Sequence, residues 1–424
     1  VGLQVYDWLA GVKKEERRKM LTVEQTLQQE PLIKKQGLLG GGLYVEYRTD
    51  DARLTIEVAK TAIAQGAIIA TYTKVTNLLY DKQQKVCGVM VQNALKNESF
   101  NIQAKVVINA AGPWGDTIRQ LEQQPLHKHL VQSKGVHIVF DATVFPLKQA
   151  VYFDTQDGRM VFAIPRDGKT YVGTTDTFYD GSLSNIYIKQ EDRAYLLDAI
   201  RFMFPTVDVK ETDIESSWAG VRPLIHEEGK SPSEISRKDE MWESSSGLIT
   251  IAGGKLTGYR KMAEAIVDYV ARKFTNRQLR PCVTKQLPLS GGEVGSSKYF
   301  KKYIARKAQV GVQYGISIEE SIKLVQYYGS NVEQLFTYLP TDHPTLPKIL
   351  YAQLRYTIEH ELVVHPSDFF IRRTSSLLFN IEMVRKYKDA VLDEMHKIFS
   401  WSTEQRTIYE HELQNEIVRA TTCI

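Results

Sequence analysis

VVINAAGPWGD, residues 106–116, opens as an unbroken apolar run and turns through Ala110, Ala111 and Gly112 into Pro113. An apolar stretch of that length without alternation is the mark of a strand covered on both faces, as in the parallel sheets of α/β proteins. Proline suits the first position of a helix, where its missing N–H removes nothing. The stretch therefore reads as a core strand feeding a helix N-terminus through bare backbone, a junction that presents free N–H groups and a positive dipole end. A second junction of the same kind lies in GLITIAGGKLTGYRKMAEA, residues 247–265, where Gly253 and Gly254 precede Lys255, Leu256 and Thr257.

Outward from these junctions the pattern changes. Residues 133–245 hold SKGVHIVFD, QAVYFD, RMVFAIP, TYVGTTD and IESSWAGV, with Asp157-Gly158 and Asp167-Gly168 between three of them. Asp-Gly flanked by apolar alternation predicts tight hairpins, hence an antiparallel sheet. Upstream, Asp50 and Asp51 suit a helix N-cap, Ala52, Ile56, Ala59 and Ile63 recur at helical spacing, and Gly66 ends the helix. Strands are expected at 67–73, 74–80, 86–92, 99–103 and 105–109, the middle ones as a small meander. Downstream, a Pro- and Gly-bearing passage at 280–297 reads as a linker. Beyond it Ser317 and Glu320 form a capping box closed by Gly329, and Ile381, Val384, Val391, Met395 and Ile398 mark another helix. The expected organisation is an α/β core over 1–290, its antiparallel sheet mainly at 133–245, and a C-terminal α-helical domain over 291–424.

The 424 residues carry 54 Lys and Arg against 50 Asp and Glu, a formal charge of +4. That surplus is too thin for nucleic acid, which needs a concentrated basic face. Cys87, Cys282 and Cys423 are scattered and form no CxxC pair, which argues against a disulfide framework and fits a reducing cytoplasm. No apolar run reaches the 18 or so residues that cross a bilayer. The chain starts VGLQVYDWLAG, without Met, and reads as entered partway through. GxSxG, Walker A and GxGxxG patterns do not occur in it.

Three side chains stand out against this background. Arg222, in WAGVRPL, has the planar fork that grips phosphate or carboxylate; as a structural residue it would need a carboxylate such as Glu215 or Glu227. His137, in KGVHIVF, shares a strand face with Gly135 and Val139 and is either a hydrogen-bonded structural residue or a general base. Lys255 sits at a helix start, against the dipole, where an anion nearby or a solvated head would account for it. No metal site is expected: His360-Glu361 and His365 are five apart, off a common helical face. The cationic stretch KYFKKYIARK (298–307) suits a solvated helix face or anionic lipid.

VVINAAGPWGD, YVGTTDT, WAGVRPL and IAGGKLTGYRKMAE, in this order and followed by EHE and DFFIRRT, resemble the FAD-dependent glycerol-3-phosphate dehydrogenases of bacteria, those of Bacillus type above all. The resemblance runs over essentially the whole chain. It implies a glutathione-reductase-like FAD-binding fold, of which part is present, and oxidation of sn-glycerol 3-phosphate to dihydroxyacetone phosphate with FAD as hydride acceptor. It further implies transfer of electrons to membrane quinone from a peripheral position on the cytoplasmic face of the membrane, and it leaves room for a homodimer. Carried onto this chain, Arg222 would bind the substrate phosphate, Lys255 would lie beside substrate and flavin, and His137 would take the proton of the central hydroxyl. Val75 would meet the adenine half of FAD, while Ala111, Gly112, Gly253, Gly254, Leu256 and Thr257 would line the cofactor. The family begins with a βαβ unit bearing GxGxxG and an HGGLRY-like segment, and neither precedes Val1. Rival readings are an oxygen-using glycerophosphate oxidase, an amine or amino-acid oxidase, and an inactive remnant that only binds partners. Glycerophosphate oxidases that resemble this chain carry an insertion between the arginine and lysine motifs, whereas here the two lie a compact 33 residues apart.

Overall fold

The computed structural model describes residues 18–122, 127–227, 238–274 and 279–423. The chain enters through β1 (Lys19–Leu21), α1 (Val23–Gln29) and β2 (Gly41–Leu43), then runs down α2 (Asp51–Ala64). The Asp50 carboxylate accepts from the Arg53 N–H and caps α2, and Gly66 follows its end with φ +93°. A three-stranded antiparallel meander comes next, β3 (Thr73–Tyr80), β4 (Val86–Asn93) and β5 (Glu98–Gln103). The strand expected at 67–73 does not form before Thr73: residues 67–70 are irregular, and Ile68 is 98% exposed. A strand exists only as part of a paired ladder, and among the described residues none lies beside this segment. Ile56 of the expected pattern is buried, but Ile63 is exposed, and Arg53 and Glu57 are the other buried residues of α2.

The two junctions that opened the sequence reading lie side by side. β6 (Ile108–Asn109) leads through a 3₁₀ turn into α3 (Gly115–Arg119). After it come β7 (Lys128–Asp141), β8 (Val151–Asp154), β9 (Met160–Arg166), β10 (Lys169–Gly173), β11 (Thr177–Tyr179), α4 (Gln190–Met203) and β12 (Ile214–Glu227). The chain then returns through β13 (Glu240–Glu243) to β14 (Ile249–Ala252) and α5 (Tyr259–Arg272). β14 pairs parallel with β6, Thr250 opposite Asn109, so both strands deliver their glycines at the same edge.

Between the junctions stands one antiparallel sheet in the order β11-β7-β10-β9-β8, with β12 on the free side of β7. Both Asp-Gly pairs turn hairpins: Asp157-Gly158 joins β8 to β9, and Asp167-Gly168, with φ +52° and +81°, joins β9 to β10. This sheet spans Lys128 to Glu227, and the later strand β13 pairs with β14 instead, which corrects the expected extent of 133–245. β7 is the spine, and its alternation assigns two faces. Val136, Ile138 and Phe140 point into a core shared with Leu196 and Ile200 of α4, each fully buried. Burial of that kind contributes about 1.5–3 kcal/mol per large side chain. Lys134 lies on the same side and reaches Asp192 of α4 at 2.5 Å, so the buried charge is paired. Ser133, Gly135 and His137 face the other way.

The remaining chain is helical: α6 (Ser297–Gln313), α7 (Ile318–Tyr328), α8 (Val332–Phe336), α9 (Lys348–His360), α10 (Ser376–Phe379), α11 (Ile381–Phe399) and α12 (Thr403–Thr421). The Ser317/Glu320 capping box is present and Gly329 closes α7 at φ +56°, as the sequence predicted. Two apolar clusters fill this part, one around Leu354, Phe369, Val384 and Met395, the other around Val325, Phe336 and Tyr356. It meets the rest of the molecule at α2, where the Arg53 guanidinium binds Glu361 at 2.5 Å, Glu57 at 3.1 Å and the Arg373 carbonyl at 3.0 Å. Phe379 of α10 comes against the open face of the antiparallel sheet, edge-on to Trp218 and Tyr171.

Candidate active site

The pairing of β12 and β10 with β7 sets the site. Cross-strand partners share a face, so His137 lies beside Trp218 and Gly173, Gly135 beside Gly220, and Ser133 beside Arg222. The His137 ring stacks on the Trp218 indole with centroids 4.6 Å apart and planes 8° from parallel. Three glycines clear the ground around these groups. A Cβ on Gly173 would come within 2.2 Å of the His137 ring, and one on Gly135 would lie 2.7 and 2.8 Å from the two terminal nitrogens of Arg222. The Arg222 side chain thus lies down over Gly135 toward His137, while at Gly220 the space a Cβ would enter is open.

Arg222 is exposed and donates one hydrogen bond, at 3.2 Å, to the Thr174 hydroxyl. That hydroxyl gives its own hydrogen to the Thr175 carbonyl at 3.0 Å, leaving a lone pair for the guanidinium. Thr174 is available because the chain leaves the sheet between β10 and β11, and the Thr175 hydroxyl accepts from the Val136 N–H at 3.1 Å across that gap. No carboxylate pairs with Arg222 among the described residues. Glu215, one structural partner the sequence offered, is held by Lys169 at 2.7 Å. Guanidinium left with most of its donors free suits bidentate capture of an anion.

Burial pushes the His137 imidazole down to about 4, and the Arg222 charge adds to the fall. The ring is therefore neutral at pH 7, and its buried Nδ1 has no hydrogen-bond partner among the described residues. A neutral imidazole stacked against an indole beside a cation is able to receive a proton from a ligand hydroxyl. The walls are aromatic: Tyr171 and Phe379 complete the enclosure of Trp218, and Tyr152 stacks on Phe162 farther along the same face at 4.4 Å.

At the sheet junctions, Asn109 is buried and ties β6 to its neighbours. Its amide donates to the Gly115 carbonyl at 2.8 Å and to the Thr250 hydroxyl at 3.2 Å, and its carbonyl accepts from the Ala111 N–H. Gly112 has φ +55° with open space where a Cβ would stand. Gly253, at φ +76°, fits under the Lys238 carbonyl, and its missing Cβ would touch Ile225 of β12. The second junction is thereby fixed three residues along β12 from Arg222. Lys255, Leu256 and Thr257 are exposed where α5 begins, with no side-chain cap and no acid in its first turn. Glycines in the left-handed region at the carboxyl ends of two parallel strands, Gly112 with open space beside it, and an uncapped helix start next to them fit a cofactor that carries or gains negative charge.

The structure brings His137 and Arg222 onto one face, and Ala111, Gly112 and Gly253 to Thr257 to one edge beside it. Val75 lies elsewhere, opposite Val91 in the separate meander. Sequence reading missed Thr174, Trp218 and Gly173. A glycine on each of three successive strand motifs, in KGVH, YVGTT and WAGVR, was the signal available, but only the register shows that they meet.

Residues 3–260 match the family model of FAD dependent oxidoreductases, and residues 282–406 match the C-terminal domain of alpha-glycerophosphate oxidase. The chain belongs to the FAD dependent oxidoreductase family, within the group of bacterial FAD-dependent glycerol-3-phosphate dehydrogenases. It is 52% identical over 421 residues to aerobic glycerol-3-phosphate dehydrogenase of Bacillus subtilis (strain 168), covering 97% of this chain and 76% of that protein. With the enzyme of the same name from Staphylococcus aureus (strain USA300) the identity is 54%, over 99% of this chain and 77% of the relative. The solved glycerol-3-phosphate dehydrogenase from Bacillus halodurans, complexed with FAD, superposes with a TM-score of 0.89 at 47% identity, covering 95% of this chain and 80% of that one. Fold class and cofactor agree with the sequence expectation: an FAD-binding α/β core, an antiparallel sheet and a C-terminal helical domain.

Proposed function

We propose that the intact protein oxidises sn-glycerol 3-phosphate to dihydroxyacetone phosphate. The observation that carries this reading is Arg222, a guanidinium lying on a bare glycine floor beside a neutral histidine, with no carboxylate pairing it among the described residues. Arg222 holds the substrate phosphate by paired hydrogen bonds, with Thr174 fixing its plane. That grip places the central hydroxyl against His137, which takes its proton as the carbon–hydrogen bond breaks. FAD, when bound, accepts the hydride. Aromatic walls keep water from the reacting carbon, and Lys255, with the N–H groups of Leu256 and Thr257, offers positive charge at the edge where the cofactor gains negative charge.

The reading extends to what surrounds this chemistry. Electrons pass on to membrane quinone, and the protein works on the inner face of the cell membrane as a peripheral enzyme. A core over 1–290 and a helical domain over 291–424 make up the chain, the two family matches supporting the division. Val75 belongs to the adenine end of the cofactor site.

The test is anaerobic. Full-length protein loaded with FAD is mixed with glycerol 3-phosphate, and the flavin absorbance should bleach; an unbleached flavin overturns the reading. A quinone analogue should then restore the colour, whereas rapid peroxide formation in air would assign the acceptor to oxygen.

A further inference from the structure

Arg222 and His137 are one device. The guanidinium rests over Gly135, two residues from His137 on the same face of β7, and that repeat is about 7 Å. Glycines at 135 and 173 permit the approach, because a Cβ at 135 would strike the guanidinium and one at 173 the imidazole. Around the imidazole stand Trp218 and Tyr171, with Phe379 against both, so the histidine end of the pair is shielded from bulk water while Arg222 stays open to a ligand.

We propose that the anion held by Arg222 governs the readiness of His137 to take a proton, so that the substrate phosphate switches on the base as well as anchoring the substrate. This rests on the reading of Arg222 as the phosphate site. A proton arriving on His137 meets an uncancelled cation while the site is empty; a dianion on Arg222 cancels that field. Tyr171 on β10 and Arg222 on β12 are the titratable groups that the strands pack against the ring. Beyond Phe379 of α10 lies Arg166 of β9, whose charge is already paired with Asp50 at 3.0 Å. Among the described residues Arg222 is the charge that bears on the His137 imidazole and that a ligand can neutralise, and the coupling gives selectivity in turnover: a phosphate-free alcohol that fits the pocket would find the base less basic.

Trp218 makes this measurable without turnover. A protonated imidazole stacked on an indole interacts with its π face and quenches its fluorescence. The probe is inorganic sulfate, whose charge stays constant over the titration, with sodium chloride at equal ionic strength as reference. In the FAD-loaded full-length protein, the quenching midpoint should rise by about one pH unit with sulfate. The rise should vanish in Arg222→Met, and the quenching itself in His137→Gln and in Trp218→Phe. A wild-type midpoint that sulfate leaves in place overturns the coupling, as does calorimetry showing no sulfate bound. A second arm follows anaerobic flavin reduction by glycerol, which sulfate should accelerate about threefold near pH 6, the rate following base strength with partial Brønsted sensitivity. Bleaching by glycerol 3-phosphate without a midpoint shift refutes the coupling and leaves the substrate reading standing. A midpoint shift without bleaching does the reverse.

Discussion

Arg53 and Arg222 show two uses of the same side chain. Arg53 lies at the seam between α2 and the helical part, buried, bound to two carboxylates and a carbonyl, and flanked by the rings of Tyr327 and Tyr328. Glu361 and the tyrosines raise its affinity for the proton despite burial, so the charge is permanent. Arg222 lies on an open sheet face with a threonine hydroxyl as its partner. The seam satisfies its donors inside the protein and yields stability; the sheet face leaves them free, and the capacity unused in folding is what a ligand can take up.

The largest expected effect is at the seam. Glu361→Ala strands Arg53 as a poorly compensated buried charge and should cost about 3–5 kcal/mol. Urea unfolding measures it, and a loss below about 1 kcal/mol would show that the seam is no stronger than a surface pair. Removing the other arginine should do the opposite. Arg222→Met should lower kcat/KM for glycerol 3-phosphate by about a hundredfold, the weight of hydrogen bonds to a charged group, while unfolding stability stays within about 0.5 kcal/mol. Equal loss of stability in both variants would erase the distinction.

The pH response of the two regions should also part. His137 is depressed to about 4 in the folded protein, against about 6.5 when unfolded. Between those values the unfolded chain binds the extra proton, so the stabilising contribution is complete above pH 6.5 and is lost as pH falls toward 4. Unfolding midpoints should show a loss of about 2 kcal/mol from pH 6.5 to 5 that is absent in His137→Gln. A wild type and variant with parallel profiles would remove His137 from the account.

The smallest effect separates two glycines paired across β7 and β12. Gly135→Ala drives a methyl group into Arg222, whose flexible end must move, and should cost about tenfold in kcat/KM through misplaced hydrogen bonds. Gly220→Ala meets open space, leaves Arg222 where it is, and should raise stability by about 0.5 kcal/mol through a less flexible unfolded chain. Steady-state kinetics beside thermal melts will show whether the two can be told apart.

Local physics made much of this legible. Asp50 as a cap, both Asp-Gly hairpins, the Ser317/Glu320 box and the glycine junctions are properties of a few neighbouring residues, and all four stand in the structure. The segment at 67–73 failed because apolar composition cannot supply a pairing partner. Arg53 went unnoticed on α2 because the Glu361 carboxylate and the Arg373 carbonyl that hold it arrive from more than three hundred residues away.

Sequence by itself determined where strands hand over to helices, which residues could bind an anion or move a proton, and the family to which the chain is related. Tertiary structure alone decided that Arg222 has no carboxylate to pair with among the described residues, that His137 stacks on Trp218, and that three glycines clear one floor. Each of those facts depends on strand register, and register is set by the packing of β7 against α4 on its other face, where a slip of one residue would turn Val136, Ile138 and Phe140 out of the core.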